Sequence, residues 1–401
     1  MDYPDFENKA FLEGHIKTVQ DFYRTHAIDK AGGFFHTFTD DGTIFDPGNR
    51  HLVSSCRFIV NFARSYSLGG PATDLDLARH GLKFLEQSHR RPDGSYAWEL
   101  RDGKISDHRG MAYGHAFVVL AAARALSAGI EQAKQILTNV WDLMEHSFWE
   151  PEHNAYCDEF ENGIENKGSY RGQNANMHMC EASIAAWEAT GDEQFLDRAV
   201  LLAKRFAGDM ANSGNGLVWE HYKQDWAPDY DFNREAPDDL FRPWGYQPGH
   251  QVEWARLLLI LDVIRPDPFY LDRARHLYLG GMKHGRDTHF GGIFYGFSPD
   301  GMPCSTAKYY WVHSEAIAAA WRLYRRTGDE SFAADYHEFW RYSWDHFVDH
   351  DHGAWFRILT RDGRKVDNLK SPPGKTDYHT LGVCWDLLGK TGGSLIKRQS
   401  A

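Results

Sequence analysis

A short aromatic segment, usually opened by glycine, returns six times along the chain: GGFFHTF from Gly32, DGSYAWEL from Asp93, NAYCDEF from Asn154, GLVWEHY from Gly216, GGIFYGF from Gly291 and GAWFRIL from Gly353. Measured between Gly33, Gly94, Asn154, Gly216, Gly292 and Gly353, the steps are 61, 60, 62, 76 and 61 residues. A near-constant period of this size marks one supersecondary unit repeated. Such a unit cannot bury its apolar face alone and must stack on its neighbours. The long fourth step coincides with a polar insertion, DWAPDYDFNREAPDDLFRPWGYQPG.

Between these segments the chain reads as paired helices. MCEASIAAWEAT is followed by GDEQFLDRAVLLAKRFAG, and SEAIAAAWRLYRRT by GDESFAADYHEFWRYSWDHF. Apolar residues fall at helical spacing, and T-G-D-E stops one helix and caps the next. Six helical hairpins in series close into a ring with one helix of each pair inside and the other outside. The expected fold is therefore all-α, an (α/α)6 barrel with short β-hairpins between helix pairs. Open arrays of the TPR or HEAT kind also pair helices, but their periods are shorter and carry no aromatic hairpin. No Pro-, Gly- or Ser-rich linker divides the sequence, so residues 1–401 are expected to form one domain.

With 44 basic and 56 acidic residues the net charge is -12, the wrong sign for neutralising phosphates. Nucleic acid and membrane are not expected partners. The most apolar stretch, 117–130, is short and interrupted by Arg124, and the N-terminus MDYPDFENKA lacks the features of a signal peptide, so a soluble cytoplasmic protein is expected. Cys56, Cys157, Cys180, Cys304 and Cys384 form no CxxC pair and suggest neither a disulfide framework nor a thiolate zinc site. Phosphate loops, dinucleotide fingerprints and a G-x-S-x-G nucleophile are absent, and no cofactor is expected. What the composition offers is 14 Trp, 19 Tyr, 25 Phe and 22 His, suited to an aromatic-walled cavity with titrating groups and a small-molecule ligand. Oligomeric state is not fixed by the sequence; a homo-oligomer is compatible with it.

Several polar residues fall on inner helical faces. In HLVSSCRFIVNFARSY, Arg57 shares the stripe of Val53, Cys56, Val60 and Ala63, and an inward guanidinium needs either a structural carboxylate or a ligand oxygen. RGQNANMHMCEASIAAW aligns Asn174, His178 and Glu181; GHQVEWARLLLILD aligns His250 with Trp254, Leu257 and Leu261 and puts Glu253 one turn on. A lone histidine in such a stripe is usually a satisfied core residue. Two His-x-x-Glu pairs also match the way helical bundles offer metal ligands, which would make His178, Glu181, His250 and Glu253 a dinuclear set. The bridging glutamates such a site needs are missing apart from Glu315, so no metal is expected. SPPGKTDYHTLGVCWDLL places Asp377, Tyr378 and His379 at the mouth of the last helix, where Thr376 or Asp377 could instead act as an N-cap beside a solvent-facing histidine.

These residues resemble the N-acylglucosamine 2-epimerase superfamily, which includes aldose-ketose isomerases, mannose isomerases and cellobiose 2-epimerases. The resemblance spans essentially the whole chain. It is carried by RHLVSSCRF, by Y-R-G-Q-N-A-N-M-H from Tyr170, by P-G-H-Q-V-E-W-A-R from Pro248, by W-V-H-S-E-A from Trp311, and by the terminal D-Y-H. It implies an (α/α)6 barrel with metal-free chemistry, two essential histidines at His250 and His379, and a sugar site lined by Arg57, Tyr113, Asn174, His178, Glu253 and Trp311, with Glu315 beside them. RHLVSSCRFIVNFARSY is most similar to the mannose isomerase branch. In aldose-ketose isomerases of the family a glutamine precedes the terminal histidine where KTDYH offers Thr376.

The implied chemistry is also what the residue types permit. Moving the C2 proton of an open-chain sugar needs a base titrating near neutrality, which histidine supplies. A second histidine protonates the ring oxygen and shuttles protons between O1 and O2 of a cis-enediol, Arg57 stabilises the developing charge, and Glu253 orients a histidine. Return of the proton to C1 gives a ketose (mannose to fructose), and return to the other face of C2 gives a 2-epimer. Two rival readings are an inverting glycoside hydrolase using Glu220 and Asp377, and a non-catalytic sugar-binding module.

Overall fold

The computed structural model describes residues 3–371, 374 and 376–389. Twelve helices run through them: α1 (Lys9–His26), α2 (Leu52–Ser67), α3 (Ala72–Phe84), α4 (Ala112–Ser127), α5 (Gln132–Leu143), α6 (Gln173–Thr190), α7 (Glu193–Ala203), α8 (Pro248–Ile264), α9 (Pro268–Gly285), α10 (Tyr310–Thr327), α11 (Glu330–His346) and α12 (Tyr378–Leu387). The odd-numbered helices are amphipathic: α5 buries Ala133, Ile136, Leu137, Val140 and Trp141 and leaves its other face to solvent. The even-numbered helices are buried nearly all round, as helices enclosed by a ring of others must be. They meet through small residues, such as Ala121, Ala122 and Ala123 in α4 and Ala318, Ala319 and Ala320 in α10. The result is an (α/α)6 barrel with six inner and six outer helices.

Both T-G-D-E sequences work as their chemistry dictates. Gly191 and Gly328 take φ of 72° and 70°, a left-handed conformation that ends α6 and α10 without a Cβ clash. Asp192 and Asp329 then accept the N–H groups of Gln194 and Ser331, caps that each contribute about 1 kcal/mol. The ring closes where first and last helices meet. Tyr23 of α1 donates its hydroxyl to Asp377, Tyr336 donates to the Phe6 carbonyl at 2.8 Å, and the Trp355 indole N–H donates to His15 at 2.8 Å.

The short strands differ from simple hairpins between helix pairs. Local hairpins exist, as at 99–101 with 104–107, but strands entering the inner helices pair across repeats. Asn49–His51 pairs with Glu99–Arg101, Gly110–Met111 with 159–160, Arg171–Gly172 with His221–Tyr222, Lys308–Tyr309 with Ile358–Leu359, and Phe38–Thr39 with Leu369–Ser371. Each ladder joins neighbouring repeats at the rim where the inner helices begin, so the first turns of those helices are fixed from outside. No described helix is long and apolar enough to cross a membrane.

Candidate active site

His250 lies in the first turn of α8. Its Nδ1 is 2.8 Å from Glu220 Oε2, and the Gln173 amide nitrogen is 2.9 Å from the same oxygen. The imidazole faces the Trp311 indole, with ring centres 5.2 Å apart. The ring of His379, from the first turn of α12, also neighbours that indole, with ring centres 5.6 Å apart. His379 Nδ1 is 2.8 Å from Glu315 Oε1, and its Nε2 is 3.4 Å from the Arg57 guanidinium. Both histidines thus neighbour one tryptophan, and each is tied to a carboxylate from another repeat.

Arg57 is fully buried yet forms no ion pair among the described residues. It donates to the Gly374 carbonyl at 2.6 Å and to the Tyr113 hydroxyl at 3.2 Å, and it lies over the rings of Phe117 and Tyr378 at 4.5 and 5.0 Å. A guanidinium held by neutral acceptors and aromatic faces keeps its charge for something else. Tyr113 in turn meets the His178 ring edge-on at 5.1 Å.

One or two turns deeper, Glu181, Glu253 and Glu315 gather around Arg256. Arg256 donates to Glu315 at 2.6 Å and to Glu181 at 3.3 Å, and Glu253 is 4.0 Å away. Burial pushes Glu181 upward, but His178 at 3.2 Å, Arg256 and the Tyr378 hydroxyl outweigh it and hold Glu181 well below the usual carboxylate range. Burial, then Glu315 and Glu181, raise Glu253 well above that range. Its Oε2 has no protein partner. Glu315 is raised by burial, opposed by Arg256, and settles at about 7. His178 is lowered to about 4, mainly by burial, and is neutral.

The geometry corrects two expectations. His250 pairs with Glu220 and not with Glu253; the latter approaches His178 Nε2 at 3.9 Å and bonds neither His250 nor His379. The dinuclear set of His178, Glu181, His250 and Glu253 is therefore not assembled. Ligand atoms do cluster in the triads His178–Glu181–Glu253 and Glu253–Glu315–His379, within 4.8 Å, but Arg256 already places a cation against both. Nor do Glu220 and Asp377 face each other as a hydrolytic pair: Asp377 accepts from Tyr23 and Thr380 and belongs to the ring closure. Its side chain makes no cap bond, and His379 is 3 % exposed rather than solvent-facing. Thr376 is buried; Pro372, Pro373 and Lys375 of the preceding loop lie outside the described residues.

Asn174 lies at the mouth, a cavity it shares with Trp98, Met111, Tyr113, Asp158, Tyr170, Phe241 and Arg242. Phe241 and Arg242 come from the long insertion. Phe241 stacks on His51 with ring centres 5.5 Å apart, and Arg242 donates to Glu159 at 2.7 Å while covering the Tyr170 ring. Asp158, buried among these groups, is raised to about 8 by that burial. Sequence reasoning missed Asp158, Trp98, Gln173 and the part played by Glu220, although the repeat held a signal. Trp98, Asp158 and Glu220 occupy the same place in three successive aromatic segments, four residues after Gly94, Asn154 and Gly216.

Carboxylate-paired imidazoles beside a buried guanidinium are equipment for moving protons on a bound molecule; this is an α/α-barrel isomerase or epimerase. The chain belongs to the N-acylglucosamine 2-epimerase (GlcNAc 2-epimerase) family, whose model matches residues 33–383. It is 48% identical over 389 residues to a D-mannose isomerase from Marinomonas mediterranea, covering 97% of this chain and 99% of that protein. A crystal structure of a D-mannose isomerase superposes with a TM-score of 0.95 at 47% identity, over 97% of this chain and 100% of the other. Cellobiose 2-epimerase from Bacillus thermoamylovorans shares the fold at 20% identity, with a TM-score of 0.84 over 96% of this chain and 100% of its own.

Proposed function

We propose that the protein interconverts mannose and fructose through a cis-enediol, with His250 and His379 as the proton-transfer pair. The observation that carries this reading is the placement of both imidazoles against Trp311 with Nδ1 bound to carboxylate. With Nδ1 so held, each imidazole presents Nε2 for proton exchange with the sugar, that of His379 beside the Arg57 guanidinium at 3.4 Å. Similarity over nearly the full chain to proteins named D-mannose isomerase supports the substrate. Arg57, beside His379, carries positive charge to the oxygen that becomes enediolate. Tyr113, Asn174, His178, Trp311 and Glu315 complete the site, Glu315 as the group that orients His379. The closed ring supports reading the chain as one domain.

Incubation with mannose, fructose, glucose and N-acetylmannosamine, followed by separation of products, tests the assignment. Fructose from mannose is expected, with deuterium at C1 when the reaction runs in heavy water. Glucose formed from mannose without fructose assigns a 2-epimerase instead. Absence of label at every temperature tried rejects the enediol for both.

A further inference from the structure

We propose that Gln173 and Trp254 are positioning residues that hold the Glu220 carboxylate against His250 Nδ1, so that this carboxylate keeps the proton on Nδ1 and turns the lone pair of Nε2 to the sugar. The inference rests on the reading of His250 as a proton-transfer group. Trp254, one turn after His250, is fully buried, and its indole N–H can only donate. It donates to Gln173 Oε1 at 2.7 Å. That bond decides the orientation of the Gln173 amide: the carbonyl turns to the indole, and the NH2 group must point the other way.

The NH2 group meets Glu220 and His250 together. Gln173 Nε2 is 2.9 Å from Glu220 Oε2 and 3.0 Å from His250 Nδ1, which is itself 2.8 Å from that carboxylate oxygen. An unprotonated Nδ1 would set its lone pair against those of Glu220. Nδ1 therefore carries the proton and donates to Glu220 beside the Gln173 N–H, and Nε2 keeps its lone pair. The backbone holds this register as well. Gly172 pairs with His221 across the ladder, and the Gln173 backbone N–H donates to the Glu220 carbonyl at 3.1 Å. Four groups from three segments are thus arranged around one imidazole nitrogen before any substrate binds. Without the indole N–H the amide is free to flip, which would turn its carbonyl toward Glu220 and remove a donor from the carboxylate.

Nitrogen-15 spectra of the imidazoles in the full-length protein at neutral pH, with His250 assigned by its disappearance in His250→Asn, give the first test. The wild type should show Nδ1 protonated and Nε2 unprotonated, and in Trp254→Phe and Gln173→Leu the Nδ1–H proton resonance should move upfield as its hydrogen bond to Glu220 loosens. Losing a hydrogen bond to a charged group corresponds to roughly 10- to 100-fold in rate, so kcat for Trp254→Phe and Gln173→Leu should fall by that order with KM little changed. A merely structural role would lower the Tm and leave the Nδ1–H resonance and kcat alone. That result, or a wild-type His250 protonated on Nε2, overturns the proposal. If Trp254→Phe fails to fold, the wild-type spectrum and Gln173→Leu decide. Full activity in His250→Asn would instead reject the proton-transfer reading while leaving the tautomer measurement intact.

Discussion

His115 and His313 are buried as deeply as His250 and His379, stand in the first turns of inner helices at the same rim, and do something different. In His115 the Nδ1–H donates to the Met111 carbonyl at 2.8 Å and Nε2 accepts the Tyr96 N–H at 3.0 Å; His313 repeats this with Tyr309 and Ile293 at 2.9 and 3.0 Å. Both nitrogens are used by backbone. Asn176 and Gln251 occupy the equivalent position in α6 and α8, accepting the N–H groups of Tyr156 and Val218. These four clamp each aromatic segment to its helix. His250 and His379 instead bind carboxylate through Nδ1, and the Nε2 of His379 lies beside the Arg57 guanidinium. Burial does not separate a structural histidine from a reactive one; the chemistry of its two partners does.

The sharpest way to break this distinction is to delete each kind. His250→Asn and His379→Asn should each lower kcat/KM for mannose by roughly 10²–10⁴-fold with the Tm nearly unchanged, since each loses a proton-transfer group and little volume. Mannose-to-fructose kinetics beside thermal melts read both quantities. His313→Ala should do the reverse. It strands the Ile293 N–H in a dry environment, costs about 1–3 kcal/mol for that donor alone, and leaves kcat of the folded protein intact. A His313→Ala enzyme with normal melting and lost activity would erase the difference between the two sets.

Acid should separate them again, more gently. Burial lowers His89 and His115 to about 4 and His313 to about 3, against roughly 6.5 in an unfolded chain. Between those values the unfolded state binds protons that the folded state refuses, so stability present above the unfolded pKa is lost as pH falls from about 6.5 toward 4. Melts between pH 7 and 5 should show a falling Tm, with a shallower slope in His115→Asn. The smallest expected effect is none: exhaustive chelation should leave turnover unchanged, because Arg256 already neutralises the glutamates that would hold an ion. Activity lost on chelation and restored by zinc or manganese would assign His178, Glu181, Glu253, Glu315 and His379 to a metal centre.

What the sequence disclosed and what it hid follow one physical rule. Helix pairs, caps and the repeat were legible because each depends on residues within one turn or one period, such as Gly191 and Asp192 ending one helix and starting the next. His178 and Glu181, three apart, do meet at 3.2 Å. The same local logic misled for His250, whose i+3 neighbour Glu253 turns deeper into the barrel while the partner comes from Glu220, thirty positions earlier. Glu315 and His379, 64 apart, could be joined only by knowing that α10 and α12 are neighbours in the ring. Gln173 gave no sign, because an amide between two other side chains has no spacing of its own.

The closure of the ring also sets a timetable. Arg57 and His379 are 322 residues apart, and the helix carrying His379 is seated by Tyr23, which the ribosome makes long before Asp377 exists. Domains generally begin folding from the N-terminal side during synthesis, at roughly 5–20 residues per second, so Arg57 waits on the order of half a minute with its guanidinium facing an open seam. Throughout that interval the growing chain has most of a barrel and no complete acid–base pair. The last inner helix acts as a keystone, and on the proposed roles of His250 and His379 a nascent chain without it would turn over no sugar.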